Sequence, residues 1–252
     1  MNPPSITKIS KVIQVLERIV LESEKNSDPR GYFAVLYLKV TKAVKAGIDN
    51  KAFEDNERME KLDIIFAKRY IDAYYYSKTK TPISDSWSLA FKLDSKYWPI
   101  VLQHLLIGMN AHINLDLGIA AAEVMKGKDI NMLKNDFDKI NTILASLVGD
   151  VEKDLSKIWP TLGKILKITK KIDDFMVNFS MSLARDGAWK FAVYLSKSHE
   201  NSWHTSIKNR DIKVARKAEI ITKPGWFISL ILAFIRLGEK GTVYDKIQDL
   251  KQ

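Results

Sequence analysis

Apolar residues recur along most of this chain three or four positions apart, which is the spacing of one helical face. The first such segment predicts a helix from Ser5 to Glu24, and its apolar stripe consists of Ile9, Val12, Ile13, Leu16, Ile19 and Val20. No segment shows the sustained two-residue alternation that is typical of a half-buried strand. The pattern therefore predicts an all-α protein.

Proline, glycine and capping residues divide the remaining sequence into further helices. Asp28-Pro29 starts a second helix that runs to about Ala46, with Gly47 as its stop. Because the predicted loops are short, neighbouring helices should run antiparallel in one multi-helix bundle, a single helical domain over residues 1–252. The other predicted helices cover residues 56–78, 84–93, 98–125, 132–146, 151–159, a basic segment after Pro160, 173–197, 206–221 and 226–239.

The predicted helix from Trp98 to Met125 is apolar on two flanks, so we expect it to be buried around most of its circumference. Two polar stripes interrupt it on opposite sides. Because an unpaired buried amide or carboxylate costs roughly 1–3 kcal/mol, these polar groups must be bonded internally or serve a site. One stripe carries His104, Gly108, His112 and Asp116, and the other carries Gln103, Asn110 and Asn114.

Two interpretations of these stripes remain open. In the first, the polar residues form a buried network that fixes how the helices pack. In the second, they line a small-molecule site in which His112 is the general acid or base and Asp116, one turn later, orients it. His104 lies about 12 Å from His112 along the axis, too far for both to bind one metal ion. A mononuclear metal site would need His112, Asp116 and a carboxylate from another helix.

Two other helices supply candidate partners for the central residues. Asp63 lies on an otherwise apolar stripe, and the nearby Arg69 is three residues from Asp72, a spacing that favours a local pair. Arg185 is suited to bidentate pairing with Asp116, Asp63 or an anionic ligand. The predicted catalytic residues are His112, His104, Asp116 and Arg185, and the predicted ligand-binding residues are Asn110, Asn114, Asp63, Arg69, Tyr70 and Trp189.

Composition narrows the class of protein. The chain has no cysteine, which excludes disulfides and cysteine nucleophiles and fits a reducing compartment. Its first residues contain no apolar signal-peptide core. The longest apolar run, Trp226 to Ile235, is roughly half the length that spans a bilayer, so we interpret it as a buried helix. We therefore expect a soluble cytoplasmic protein without a membrane span.

The formal net charge of +10 lies partly in helical stripes of basic residues. We interpret these stripes as solvated faces, since no aromatic residues or nucleic-acid motifs accompany them, and we expect no specific nucleic-acid partner. No nucleophile elbow, phosphate-binding loop, dinucleotide fingerprint or zinc-protease motif is present, so no cofactor is assigned. The stripes are Lys164, Lys167, Lys170 and Lys171, and Lys208, Lys213, Arg216 and Lys217.

Residues 104–117, HLLIGMNAHINLDL, resemble the signature of a bacterial family of unknown function, and similar pieces extend the resemblance from about Asp28 to Glu239. The resemblance implies a helical domain and no particular activity. Together with the polar stripes, it leads us to predict an enzyme that binds a small molecule in a polar pocket lined by His104, His112, Asp116 and Arg185. The alternatives are a non-catalytic binding or scaffold protein and a mononuclear metal-dependent hydrolase. The similar pieces are Tyr32–Ala34, Met59–Asp63, Phe66–Tyr70 and Arg185–Trp189.

Overall fold

The computed structural model of the chain describes residues 2–79, 81–159 and 181–252. Within these residues the regular elements are helices and none is a strand, so the predicted all-α class is confirmed. The helices are α1 (Ile9–Lys25), α2 (Arg30–Asp49), α3 (Asn56–Lys78), α4 (Asp85–Lys92), α5 (Val101–Ala111), α6 (Gly118–Val124), α7 (Lys134–Ile158), α8 (Met181–Lys197), α9 (Trp203–Thr222), α10 (Trp226–Gly238) and α11 (Val243–Lys251).

One helical rod forms the centre of the fold. It consists of α5, a π-helical turn at His112–Leu117 and α6, and it is contacted by α2, α3, α4, α8 and α9. Among the described helices it alone is long and apolar enough to cross a bilayer, but 89% of its apolar window is buried inside the protein, as in a core helix. The helical segments at residues 200–222 and 226–238 reach the length and hydropathy of a membrane span only when they are counted as one helix, and they meet at a bend of 66°. The predicted buried central helix is confirmed.

Carboxylates from distant segments hold the ends of the helices around the rod. Glu239 Oε1 accepts a hydrogen bond from the Val101 backbone N–H at 2.8 Å, at the start of α5. Asp211 accepts the backbone N–H groups of Asp85 and Ser86 at 2.7 and 2.9 Å, at the start of α4. The first N–H groups of a helix lack intrahelical partners and carry partial positive charge, so a carboxylate both satisfies and stabilises them.

Glycine does not end the helices where the sequence predicts it. Gly47 lies inside α2, which continues to Asp49, and the turn is made instead by Lys51 at φ 52°. The Phe53 ring packs 3.1 Å from where a Gly47 Cβ would lie, so that glycine allows a close contact. The two helices predicted over 132–146 and 151–159 are one continuous helix, α7. A single interior glycine such as Gly149 costs only about 1 kcal/mol, too little to break a long amphipathic helix.

Two further boundaries differ from the sequence prediction. The rod begins at Val101 rather than Trp98, because the ring of Pro99 disfavours helical geometry at the residue before it. The unpredicted helix α11 begins with a capping box, in which Thr242 and Asp245 each accept the other's backbone N–H. The basic segment predicted after Pro160 and residues 173–180 of the next predicted helix lie outside the described residues.

The apolar run from Trp226 to Ile235 forms α10, as predicted, but the expectation that this helix is buried is wrong. It buries Leu232 and Ile235 against the core and exposes its other face. An apolar helix is ordinarily buried on most sides, so the exposed face of α10 departs from what its composition predicts.

Gly108 tests how tightly α2 packs on the rod. A Cβ at Gly108 would lie 2.5 Å from the Phe33 ring, so Gly108→Ala should lower the free energy of unfolding by about 1–3 kcal/mol, measured in urea. Gly149→Ala is the matched control, because nothing lies within 4 Å of its Cβ position, and it should be neutral or stabilising by up to ~1 kcal/mol. Equal stability of the two variants would contradict the close contact.

Candidate functional site

The buried side chain of Asp116 joins three helices. Its Oδ1 accepts a hydrogen bond from Arg69 Nε of α3 at 2.7 Å, and its Oδ2 accepts one from Trp87 Nε1 of α4 at 2.8 Å. His112 Nδ1, one turn earlier, lies 3.2 Å from the same Oδ2. Burial alone would raise the pKa of Asp116, but the Arg69 charge and the bonds from His112 and Trp87 lower it below its usual value. Asp116 is therefore an ionised carboxylate.

This carboxylate fixes the proton on His112. Burial lowers the pKa of the imidazole, and this effect outweighs the bond to Asp116, so the ring is neutral near pH 7. An ionised carboxylate only accepts hydrogen bonds, so Nδ1 carries the proton and Nε2 keeps a free lone pair. Nε2 is buried and has no hydrogen-bond partner among the described residues. His112 therefore holds an unused acceptor in the interior.

Aromatic rings fix the orientation of the imidazole. The Phe66 ring stacks on His112 with centroids 3.6 Å apart and planes 6° from parallel. The Tyr37 ring meets it edge-on at 4.5 Å. These contacts leave the ring little freedom to rotate, so Nε2 points in one direction only.

The rod departs from α-helical geometry at this site. The π-helical turn begins at His112 and ends at Leu117, next to Gly118. A Cβ at Gly118 would lie 2.7 Å from the Ala188 carbonyl oxygen, so α8 packs closely just after the turn. Single π-helical turns occur frequently at functional sites, where they change the direction of the following side chains. Uniform α-helical spacing therefore does not hold through Asp116.

A largely apolar cavity of about 280 Å³ lies between the rod, α2, α3 and α7. The sequence predicted a polar pocket, but His104 and Asp116 lie outside the cavity, and Asp116 is already saturated by its three donors. Apart from Tyr37, the polar residues of the wall are Asp63, His112, Glu152 and Arg185, and its apolar residues include Leu36, Val40, Phe66, Met109, Ile140 and Leu147.

Asp63 adds a second unused polar group to the cavity wall. Burial, with a smaller contribution from the nearby Glu60, raises the pKa of Asp63 to about 7. Its Oδ2 is buried, and no residue in the described part of the chain forms a hydrogen bond with it. Near neutral pH this carboxyl group is thus divided between its protonated and ionised forms, and it can donate or accept a hydrogen bond.

Arg185 lines the cavity but forms no ion pair with Asp116 or Asp63, the two carboxylates that the sequence suggested for it. Its Nη2 donates to the Phe137 carbonyl oxygen, and its guanidinium lies 4.5 Å from the centre of the Phe137 ring. Burial lowers the pKa of Arg185 to about 10, and its Nε has no hydrogen-bond partner within residues 2–79, 81–159 and 181–252. The Trp189 ring packs against the Phe137 ring with centroids 5.0 Å apart and planes tilted by 53°, and Trp189 does not line the cavity.

The second polar stripe of the rod contacts α9. Asn110 Nδ2 donates to the Val214 carbonyl oxygen at 3.0 Å, and Asn114 Nδ2 donates to Asn110 Oδ1 at 3.2 Å. Gln103 Nε2 donates to the carbonyl oxygen of Ile221, in the last turn of α9, at 2.8 Å. That carbonyl has no intrahelical partner, so the bond caps the helix. These amides attach α9 to the rod and lie outside the cavity.

The remaining predicted residues are spread over the aromatic core. His104 Nδ1 lies 3.2 Å from Asp94, away from His112. Tyr70 is fully buried between other rings and does not line the cavity. Arg69 pairs with Asp116 and not with Asp72, whose carboxylate binds Lys68 at 2.6 Å.

The metal hypothesis gains no support from the described residues. Residues 2–79, 81–159 and 181–252 contain no group of three or more histidine, aspartate or glutamate side chains placed to hold an ion.

Two residues beside His112 and Asp116 were not predicted from the sequence. Trp87 donates a hydrogen bond to Asp116, and the Tyr37 ring packs edge-on against His112. The N-cap at Ser84 marks the start of α4, the helix that carries Trp87. Nothing in the local sequence predicts that the Trp87 indole reaches the rod.

The raised pKa of Asp63 makes stability depend on pH. Between about pH 4 and 7 the folded protein keeps a proton that the unfolded chain, with a pKa near 3.9, has released, so this carboxyl group lowers stability as the pH rises. The free energy of unfolding of Asp63→Asn minus that of the wild type should therefore increase by roughly 2–4 kcal/mol between pH 4 and pH 8. Urea unfolding at each pH measures this difference.

The control for that series is Glu57→Gln, which changes a carboxylate of α3 whose side chain is 89% exposed. Its stability difference from the wild type should stay flat across the same pH range. If the stability difference between Asp63→Asn and the wild type also stayed constant from pH 4 to 8, Asp63 would be ionised in the folded protein at neutral pH.

Comparison with known proteins places most of the chain in one protein family. Residues 9–224 match a family described as a family of unknown function, DUF5995. The match includes helices α1 to α9 as described, and with them the rod and the cavity, and it ends before α10. No curated protein and no solved structure matches the chain. Because the match covers well over half of the sequence, the chain belongs to the family of unknown function DUF5995.

Proposed function

We propose that this protein binds a small, mostly apolar molecule that carries one hydrogen-bond donor, in the cavity lined by His112 and Asp63. The observation that carries this proposal is a neutral imidazole that lines a largely apolar cavity and whose buried Nε2 has no partner among the described residues. Leaving such an acceptor unpaired costs on the order of 1–3 kcal/mol, and a donor on a ligand would recover that cost.

The size and chemistry of the cavity support a small ligand. Its volume of about 280 Å³ is near the lower end of small-molecule sites, which begin at roughly 300 Å³. An apolar wall with a few fixed polar groups is the usual composition of such sites, since the apolar part gives affinity and the polar groups give orientation. Asp63 supplies a second polar contact, which donates when protonated. We keep a cytoplasmic location as part of this proposal.

A matched pair of ligands isolates the hydrogen bond to His112. 2-Naphthol and naphthalene share one apolar body, and only naphthol carries a donor. The ratio of their affinities should favour naphthol about tenfold more in the wild type than in His112→Phe, because one hydrogen bond contributes about 1–1.5 kcal/mol. Isothermal titration calorimetry measures both ligands.

His104→Phe is the control, since it changes the other buried histidine of the rod, which lies outside the cavity. It should leave the affinity ratio unchanged. If His112→Phe kept the wild-type ratio, Nε2 would not be the ligand's partner. If neither ligand bound the wild type, the polar residues would be a packing network alone.

An enzyme in which His112 acts as a general base is the second candidate. The hydrogen bond from His112 Nδ1 to Asp116 favours it, because it orients the ring and stabilises the imidazolium that proton abstraction would form. The two other donors on Asp116, Arg69 and Trp87, weaken this effect, since they already neutralise part of its charge. Binding is therefore the primary proposal.

Proton exchange distinguishes catalysis from binding alone. A bicyclic aryl ketone such as 1-tetralone has exchangeable protons next to its carbonyl group, and a base in the cavity would speed their exchange in D2O. Nuclear magnetic resonance should show exchange above the buffer rate with the wild type and His104→Phe, and loss of that excess, by at least about a hundredfold, with His112→Phe. Binding of the ketone without faster exchange would exclude the base role for this class of ligand.

A further inference from the structure

Helix α10 exposes an apolar stripe along its whole length. Trp226, Leu230, Phe234 and Leu237 are 77%, 62%, 64% and 71% exposed, and their spacing places them on one face. The opposite face is anchored in the core by Leu232 and Ile235. Large contiguous apolar surfaces are rare on monomeric proteins and mark interaction sites. This face is therefore unlike the single exposed leucines found elsewhere on the chain.

A neighbouring loop extends this surface with two more aromatic rings. Tyr97 and Trp98 are 69% and 57% exposed. Arg236 of α10 holds the loop, because its Nε donates to the Tyr97 carbonyl oxygen at 2.8 Å and its guanidinium lies 4.7 Å from the centre of the Tyr97 ring. We name these residues together the α10 patch: Trp226, Leu230, Phe234, Leu237, Tyr97 and Trp98.

The two segments that build the α10 patch contain basic but no acidic residues. No acidic residue occurs between Asp94 and Asp116 or between Glu219 and Glu239, the two segments that build the patch. Exposed lysines lie within both segments or directly after them: Lys96, Lys223 and Lys240.

The acidic residue that follows α10 does not offset these lysines. Glu239 is turned inward, where its Oε2 binds Lys246 Nζ at 2.7 Å and its Oε1 accepts the Val101 N–H. The exposed charges within the two segments are thus those of lysines, in a chain of formal net charge +10.

We propose that the α10 patch docks on an anionic membrane surface. Tryptophan and tyrosine favour the boundary between lipid headgroups and acyl chains, and basic residues beside an apolar helix face attract anionic lipids. With 13 residues α10 is about 20 Å long, too short to span a bilayer core of roughly 30 Å, so it lies in the interface plane. A second copy of the chain is a poorer occupant, since a two-fold contact would place two basic rims against each other.

Co-sedimentation with vesicles tests the proposal. The wild type should bind vesicles of phosphatidylcholine mixed with phosphatidylglycerol, bind pure phosphatidylcholine vesicles at least about tenfold more weakly, and lose binding as salt is added. The double variant Leu230→Ser/Phe234→Ser should bind the mixed vesicles at least about tenfold more weakly than the wild type. The fluorescence of the exposed tryptophans should shift to the blue on binding.

The matched control is Leu21→Ser/Met132→Ser, which removes two side chains of similar exposure, 60% and 58%, from other parts of the surface. It should bind like the wild type, and circular dichroism checks that all variants keep the fold. Equal vesicle binding by both double variants, or no binding by the wild type, would overturn the proposal. Light scattering that showed a dimer dissociated only by Leu230→Ser/Phe234→Ser, without vesicle binding, would assign the patch to a second copy instead.

Discussion

The carboxylate of Asp116 is the interaction on which the centre of this fold depends. A buried carboxylate is costly unless its charge is compensated by donors in good geometry, and here Arg69, Trp87 and His112 supply them from α3, α4 and the rod. The three helices are therefore fixed in one mutual register, because a shift of any of them would leave a charge or a buried donor unpaired. The π-helical turn that begins at His112 belongs to this arrangement, since it sets how Asp116 meets the donors.

The same carboxylate sets the chemistry next to it. Because Asp116 can only accept, His112 is held in one tautomer, and its remaining nitrogen is left as an acceptor without a partner. The polarity of the rod thus divides into two parts. Most of it, including Gln103 and Asn110, is used to attach neighbouring helices. Among the described residues, the unused polar atom of the rod is His112 Nε2, and Asp63 of α3 adds a second unused polar group on the cavity wall. Unused buried polarity is a better indicator of a ligand than polarity itself.

Local patterns in the sequence predicted the helices, the burial of the rod and the pairing of His112 with Asp116, because each depends on residues within a few turns. The partners Trp87 and Arg69 could not be predicted, since they lie 29 and 47 positions from Asp116 and meet it only through tertiary packing. The apolar character of the cavity was missed for the same reason. The exposure of α10 was missed because apolar composition predicts avoidance of water, without specifying whether the core or another surface provides that environment.

The cavity and the α10 patch are connected through one apolar core. Leu155 of α7 lines the cavity and belongs to the same buried cluster as Leu232 and Ile235, the residues that anchor α10. Apolar molecules concentrate in a bilayer because transfer from water removes their apolar surface from solvent. A protein that docks on a membrane would therefore meet ligands of the kind that this cavity accepts at far higher concentration than in water. The proposed membrane surface of the α10 patch and the proposed apolar ligand of the cavity are thus compatible, and they rest on two sets of residues that share no member.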